Sequence, residues 1–209
     1  MSAMHAQGGL PIPGIEHIDQ PYYFEACVEA GEKIDVAEFG RKAAQSLANK
    51  IDELGEDKVA AFIAEPIQGA GGVIIPPESY WPEISRICQE RSILLVADEV
   101  ICGFGRTGEW FGTDYYNIKP DLMLFAKAVT SGYLPVGGVI VREDLVEVIV
   151  SAGQEFAHGY TYSGHPTCMA AGIANLELMK KTNIVHQVSS QTAPYLASKW
   201  KALEEHPLV

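Results

Sequence analysis

Three ionisable residues, Glu65, Asp98 and Lys127, each stand immediately after a short apolar run and could do chemistry together. Short, continuous apolar runs bounded by turn signals predict strands buried on both faces. In an open α/β sheet, ligands bind beyond the carboxyl ends of the strands, where these three residues would lie. We expect Lys127 to be partly desolvated there, which favours the neutral, nucleophilic amine that a Schiff-base lysine needs.

The sequence around these residues predicts the elements that position them. A helix between the first two strands makes a βαβ unit, whose strands run parallel. The last strand begins nine residues after Lys127, too few for a parallel crossover, so we expect it to run antiparallel. The result is an α/β fold with a mixed, mostly parallel sheet and helices on both faces. The predicted strands are Val59–Ala64, Ile93–Ala97, Leu122–Ala126 and Val136–Val141, and the predicted helices are about Asp35–Leu54 (opened by an Asp35/Glu38 capping box), Ser79–Arg91, Pro166–Lys181 and His186–Glu205.

Two motifs in this region suggest other chemistry. Asp98-Glu99 after an apolar strand resembles the magnesium-holding acid pair of a P-loop NTPase, but the sequence contains no G-x-x-x-x-G-K-[ST]. Gly103–Gly108 matches G-x-G-x-x-G, yet five residues separate it from the strand, and residues 109–120 make a poor helix. The dinucleotide fingerprint requires a tight strand-to-helix turn. Neither motif therefore has the sequence context that its function requires.

A Schiff-base lysine with an aspartate partner is the pairing that pyridoxal-phosphate enzymes use. The residues around this pair resemble the signature of class III pyridoxal-phosphate aminotransferases: Leu95–Gly108, Pro120-Asp121, Ala126-Lys127 and Thr130–Pro135. Three further stretches look like the ω-amino acid–pyruvate transaminase branch of that class: His158–Pro166, Glu65–Gly72 and Leu10–Ile15. One departure is Ala128, which stands where glycine is usual.

The resemblance implies roles for the two central residues. Lys127 would form the Schiff base with pyridoxal 5'-phosphate and then act as base and acid in the proton shift. Asp98 would bond the pyridine nitrogen and keep it protonated, so that the ring serves as an electron sink.

The resemblance also implies five further residues that contact the cofactor. Val100 would pack on the ring face, with Ile101 beside it. Glu65 would lie near the cofactor and help to hold Asp98 or the ring substituents. Tyr160 and Thr161 match the segment that reaches the cofactor phosphate of the neighbouring subunit, which implies a homodimer or higher homo-oligomer.

The same resemblance implies that residues 1–209 are part of the large domain of a fold-type I enzyme, incomplete at both ends. Residues from about 186 to 209 would form a helix leading toward an absent C-terminal small domain. The phosphate-cradling Gly/Ser loop and the carboxylate-binding arginine are expected to lie in absent portions. We therefore expect weak cofactor affinity and little turnover from this chain alone.

The implied reaction is amino transfer from an ω-amino acid or amine to pyruvate, which gives an aldehyde or ketone and alanine. Two alternatives remain open at this point. One is a class III relative that moves an amino group within one molecule or decarboxylates its substrate. The other is a non-catalytic fragment that contributes structure only.

Composition limits the partners. Twenty-seven acidic against fifteen basic residues give a net charge of −12, which argues against nucleic acid or an anionic membrane surface. No stretch approaches the roughly 18 apolar residues of a membrane span. The first residues lack a basic region followed by an apolar one, so we expect a cytoplasmic protein. The four cysteines include no C-x-x-C pair, and we predict no metal site.

Overall fold

A computed structural model of the chain describes residues 13–153 and 156–207. The chain divides into two compact units, Met1–Leu95 and Val96–Val209. The strands are β1 (Ala61–Ala64), β2 (Leu94–Asp98), β3 (Leu122–Phe125) and β4 (Gly138–Val141). The α-helices are α1 (Tyr23–Ala30), α2 (Val36–Leu54), α3 (Tyr80–Glu90), α4 (Gly112–Tyr115), α5 (Glu143–Ser151), α6 (Pro166–Thr182), α7 (Ile184–Gln187) and α8 (Ala193–Leu203).

The first unit has its core where α2 and α3 pack against each other. The predicted cap is present, because the Asp35 carboxylate accepts a hydrogen bond of 2.6 Å from the Glu38 amide. The Trp81 indole of α3 is buried and donates to the Pro66 carbonyl at 3.0 Å, which ties α3 to the chain leaving β1. The buried apolar side chains of this core include Leu47, Ile51, Ile84 and Ile87.

The prediction that β1 is buried on both faces is wrong. Its residues alternate between exposed and half-buried, and Ile63 is 58% exposed. A continuous apolar run does not by itself distinguish a central strand from one with a single covered face. In the order β1-β2-β3-β4, β1 is an outermost strand of the described sheet.

The sheet has the predicted mixed arrangement. β2 pairs parallel with β3, and Asp98 lies opposite Leu124. β3 pairs antiparallel with β4, with Phe125 opposite Gly138, as the short connection after Lys127 predicted. The carboxyl ends of β2 and β3 therefore meet at one edge of the sheet.

The helices of the second unit differ from the prediction at the end of the chain. The continuous helix expected from His186 is instead α7, a π-helical turn at Val188–Thr192, and α8. Pro194 stands in the first turn of α8, where its missing N–H removes a hydrogen bond that a continuous α-helix would make. Residues 208 and 209, the end of the range assigned to this helix, lie outside the described residues.

Helices α1, α4 and α5 have no counterpart among the predicted elements. The first has no residue buried in the core, and the second has only four residues. None of the helices in the described part of the chain is both long and apolar enough to cross a membrane.

Candidate functional site

The candidate site lies at the sheet edge where β2 and β3 end. Asp98 is the last residue of β2, and Lys127 follows the end of β3 by two residues. Because these strands are parallel neighbours, both residues leave the sheet at the same edge. The two apolar runs that precede Asp98 and Lys127 in the sequence thus place a carboxylate and an amine at adjacent strand ends.

The Asp98 carboxylate is fixed by its own loop. Its Oδ1 accepts a hydrogen bond of 3.0 Å from the Val100 amide, the local bond of an Asx turn. Asp98, Val100 and Ile101 are all half-buried. The structure therefore places Val100 and Ile101 directly beside the predicted ring-binding carboxylate in the chain, and their contact with a cofactor stays a prediction.

Glu99, beside Asp98, is fully buried and closes the loop that follows β2. Its carboxylate accepts backbone hydrogen bonds from Gly112 at 2.9 Å and from Thr113 at 2.6 Å. Its own amide donates to the Leu124 carbonyl of β3 at 2.9 Å. Glu99 thus joins the end of β2 to β3 and to the start of α4. In the sequence, this residue stood out only as half of a possible magnesium pair.

Burial raises the pKa of the Glu99 carboxyl, and it outweighs the hydrogen bonds from Thr113 and Gly112, which lower the pKa. The Asp114 carboxylate adds to the increase. In the folded protein the proton is therefore released at a higher pH than in the unfolded chain. The associated stability is present below the ordinary pKa of 4.5 and is lost as the pH rises through the folded-state value.

This shift predicts the pH dependence of a Glu99→Gln variant, which cannot titrate at this position. We expect the free energy of unfolding of the wild type minus that of the variant to decrease as the pH rises above about 4.5. Urea unfolding of both proteins from pH 4 to pH 8 measures this difference. Glu109→Gln controls for the loss of one charge from the same loop. A difference that grows with pH would contradict the direction of the shift.

Lys127 begins a 3₁₀ turn, Lys127–Thr130, with its backbone at φ 46°. That left-handed conformation is uncommon for a residue with a side chain and is typical of functional sites. The Gly132 amide donates to the Lys127 carbonyl at 3.2 Å, and the Thr130 hydroxyl donates to the Leu134 carbonyl at 2.6 Å. These bonds fix the turn that carries the amine.

The predicted partial burial of Lys127 is wrong in this structure, because the residue is exposed. β3 ends at Phe125, so the chain has already left the buried layer of the sheet when it reaches Lys127. The sequence pattern placed Lys127 at the correct end of the sheet, but it predicted the end of β3 one residue too late.

Glu65, Tyr160 and Thr161 are the other predicted cofactor contacts. The hydrogen bonds that the structure shows for Glu65 and Tyr160 join them to near neighbours in the chain. Glu65 belongs to the first unit, where its Oε2 accepts a bond of 2.9 Å from the Gly69 amide. Tyr160 and Thr161 are exposed in a turn, and the Tyr160 amide donates to the Ser163 hydroxyl at 3.1 Å. The roles assigned to these three residues stay predictions.

The glycines of the G-x-G-x-x-G match have a packing role. Gly105 and Gly108 have φ values of 93° and 89°. A Cβ atom at Gly108 would lie 2.9 Å from the Ser189 Cβ, and one at Gly105 would lie 3.2 Å from the Val185 Cγ2. The loop therefore packs closely on α7 and the π-helical turn. A dinucleotide fingerprint instead opens a long helix directly after its strand.

A lysine and an aspartate at the ends of neighbouring parallel strands fit the fold-type I class of pyridoxal-phosphate enzymes. The aminotransferase class-III family matches residues 3–209, and the chain belongs to this family.

Three proteins illustrate the similarity. The putrescine–pyruvate aminotransferase of Pseudomonas aeruginosa is 56% identical over 211 residues, which cover 100% of this chain and 45% of that protein. The diaminobutyrate–2-oxoglutarate transaminase of Halomonas elongata is 43% identical, with coverage of 100% and 45%. The crystal structure of an (S)-enantioselective ω-transaminase from Thermomicrobium roseum is 42% identical, with a TM-score of 0.90 over 99% of this chain and 45% of that one. The chain thus spans less than half the length of these relatives.

Class III aminotransferases depend on pyridoxal 5'-phosphate, and the residues at the sheet edge fit this cofactor. The exposed Lys127 supplies an amine for its aldehyde, and the half-buried Asp98 supplies a carboxylate for its ring nitrogen. Among residues 13–153 and 156–207, no three His, Cys, Asp or Glu side chains are grouped so that they could hold a metal ion.

Proposed function

We propose that this chain takes part in pyridoxal-phosphate-dependent transamination, with an ω-amino acid or amine as donor and pyruvate as acceptor. The observation that carries the proposal is the placement of Asp98 and Lys127 at the adjacent ends of two parallel strands. Membership of the class III family supports the reaction type. The name of the Pseudomonas aeruginosa relative supports an amine donor and pyruvate.

Lys127 is the group that moves protons in this proposal. Its Nζ would hold the cofactor through the aldehyde group, and as a free amine it would accept a proton from the donor carbon and later give one back. The bound cofactor supplies a ring that withdraws the electrons left on the donor carbon. Exposure of Lys127 on a fixed turn leaves its amine accessible for both the binding and the proton-transfer role.

Asp98 is proposed to supply the negative charge that keeps the cofactor's ring nitrogen protonated. Its carboxylate would pair with the ring nitrogen of the bound cofactor and keep a proton there, because a nearby negative charge favours the protonated form. The Val100 amide orients the carboxylate before any ligand binds. Val100 and Ile101 are proposed to pack against the ring, since they follow Asp98 closely in the chain. Glu65, Tyr160 and Thr161 are proposed to complete the cofactor contacts, the last two across a homodimer.

The acceptor is tested by product analysis. A full-length protein that contains this chain is incubated with putrescine and pyridoxal 5'-phosphate, together with pyruvate, 2-oxoglutarate or no oxo acid, and the amino acids formed are separated by chromatography. We expect alanine with pyruvate and little glutamate with 2-oxoglutarate. A preference for 2-oxoglutarate, as the name of the Halomonas elongata relative suggests for that protein, would overturn the acceptor assignment.

The same assay separates the alternatives. A product formed without any oxo acid would indicate amino migration within one molecule or decarboxylation. No product under any condition, together with no cofactor uptake, would support a chain that contributes structure only. A cytoplasmic location stays a prediction.

A further inference from the structure

Asn175, on α6, makes three hydrogen bonds to the turn that carries Lys127. Its Nδ2 donates to the carbonyl oxygens of Ala128 at 3.0 Å and Val129 at 3.1 Å. Its Oδ1 accepts a bond of 2.7 Å from the Ser131 hydroxyl. One half-buried side chain from a distant helix therefore contacts three of the four residues that follow Lys127.

The turn needs support because both of its ends have uncommon backbone conformations. Lys127 has φ 46° and Ser131 has φ 50°, values that residues with a side chain rarely adopt without surrounding constraints. The hydrogen bonds of Asn175 are made to the carbonyls of Ala128 and Val129, which lie between these two positions, and to the Ser131 hydroxyl. They hold the segment from outside, in addition to its own bond from the Ser131 amide to the Ala128 carbonyl at 3.0 Å.

Helix α6 presents the amide at close range. Gly172, three residues before Asn175, is buried and lies on the same side of the helix. A Cβ atom there would lie 3.8 Å from the Thr130 Cγ2 and 3.9 Å from the Val129 carbonyl oxygen. The helix thus packs along the turn with its small residue at the contact and its amide directed at the carbonyl groups.

The chemistry of the contact requires an uncharged amide. A group that donates to two carbonyls and accepts from a hydroxyl needs both an NH₂ and a C=O. Aspartate has the same size but would direct carboxylate oxygens at two carbonyl oxygens and lose both donors. Leucine has a similar volume and neither function.

We propose that Asn175 is a positioning residue for Lys127, which fixes the turn so that the amine leaves the sheet edge in the direction that the cofactor requires. The inference rests on the proposed role of Lys127 in binding the cofactor. Asn175 acts through the backbone of the turn, and its role is distinct from that of Asp98 on the neighbouring strand.

The test measures how fast Lys127 captures the cofactor. The chain is incubated with pyridoxal 5'-phosphate and cyanoborohydride, and mass spectrometry follows the modification of Lys127 relative to Lys119, an exposed lysine that serves as internal reference. We expect Asn175→Asp to slow modification of Lys127 by roughly tenfold, since two hydrogen bonds to the turn are lost, with Lys119 unchanged. Asn49→Asp makes the same substitution at an exposed helical position and is expected to have no effect.

A second variant covers the case in which Asn175→Asp does not fold. Ser131→Ala removes only the bond from the hydroxyl to Asn175, and we expect it to slow modification of Lys127 by roughly two- to fourfold. Hydrogen exchange provides the second readout. The amides from Val129 to Gly132 are expected to exchange faster in both variants, while those of β4 keep their protection.

The outcomes separate the two proposals. If Lys127 and Lys119 react alike in the wild type, the role of Lys127 is overturned, and the positioning role with it. If the wild type prefers Lys127 and both variants keep that preference, Asn175 does not position the lysine, although the role of Lys127 stands. Loss of protection in β4 together with the turn would show a general structural role and would also overturn the inference.

Discussion

Replacing Lys127 by alanine in a full-length context is expected to reduce transamination by at least about 10²- to 10⁴-fold, the contribution of a positioned general acid and base. The loss should affect both halves of the reaction, because the same amine binds the cofactor and moves the proton in each. Lys127 stands just past the end of β3 on a fixed turn, and no other residue of that turn carries an amine. Measuring amine consumption and alanine formation separately, with saturating pyridoxal 5'-phosphate, gives the two rates.

Lys119→Ala is the matched control, since it removes an exposed lysine that lies before β3 in the same unit. We expect it to keep the wild-type rates. Turnover of the Lys127→Ala variant at the wild-type rate would contradict the assignment of the lysine. Equal loss in both variants would point to a general effect of removing a lysine from this region.

Replacing Asp98 by asparagine is expected to lower the rate by about 10²- to 10³-fold, comparable with the loss of one preorganised electrostatic contact to a developing charge. Asparagine keeps the shape of the side chain and can still accept the bond from the Val100 amide. It lacks the negative charge that keeps a proton on the ring nitrogen. The loss should therefore appear in turnover more than in the folding of the loop.

Glu109→Gln is the control for this charge change, because Glu109 is exposed in the loop after β2. The rate of Asp98→Asn is compared with that of Asp98→Ala, which also loses the bond to Val100. We expect Asp98→Ala to be slower still. If Asp98→Asn retained the wild-type rate, the carboxylate would not hold the charge of the ring nitrogen.

The sheet and its edge could be predicted from the sequence because they depend on local patterns. Apolar runs of strand length located β2 and β3, and the residues that end those runs are the pair of the candidate site. The short connection after Lys127 required an antiparallel β4, which the structure confirms. The motif around Asp98 and Lys127 is long and ordered enough to indicate the family, and the family match confirms it.

The supporting contacts could not be predicted in the same way. Asn175 is 48 residues after Lys127, and no pattern on α6 marks its contact with the turn. Glu99 stood out in the sequence only as half of a possible magnesium pair, because its partners at Gly112 and Thr113 depend on the path of the loop. The exposure of Lys127 also depends on where β3 stops, a boundary that sequence patterns place only to within a few residues.

The central claim is that Lys127 is the residue that binds the cofactor, and peptide mapping tests it most directly. The protein is saturated with pyridoxal 5'-phosphate, reduced with borohydride, digested, and analysed by mass spectrometry to locate the modified lysine. We predict one dominant modified peptide, carrying the phosphopyridoxyl group on Lys127, with no such peptide from the Lys127→Ala variant. A dominant modification at another lysine, or an even distribution over the exposed lysines, would contradict the account.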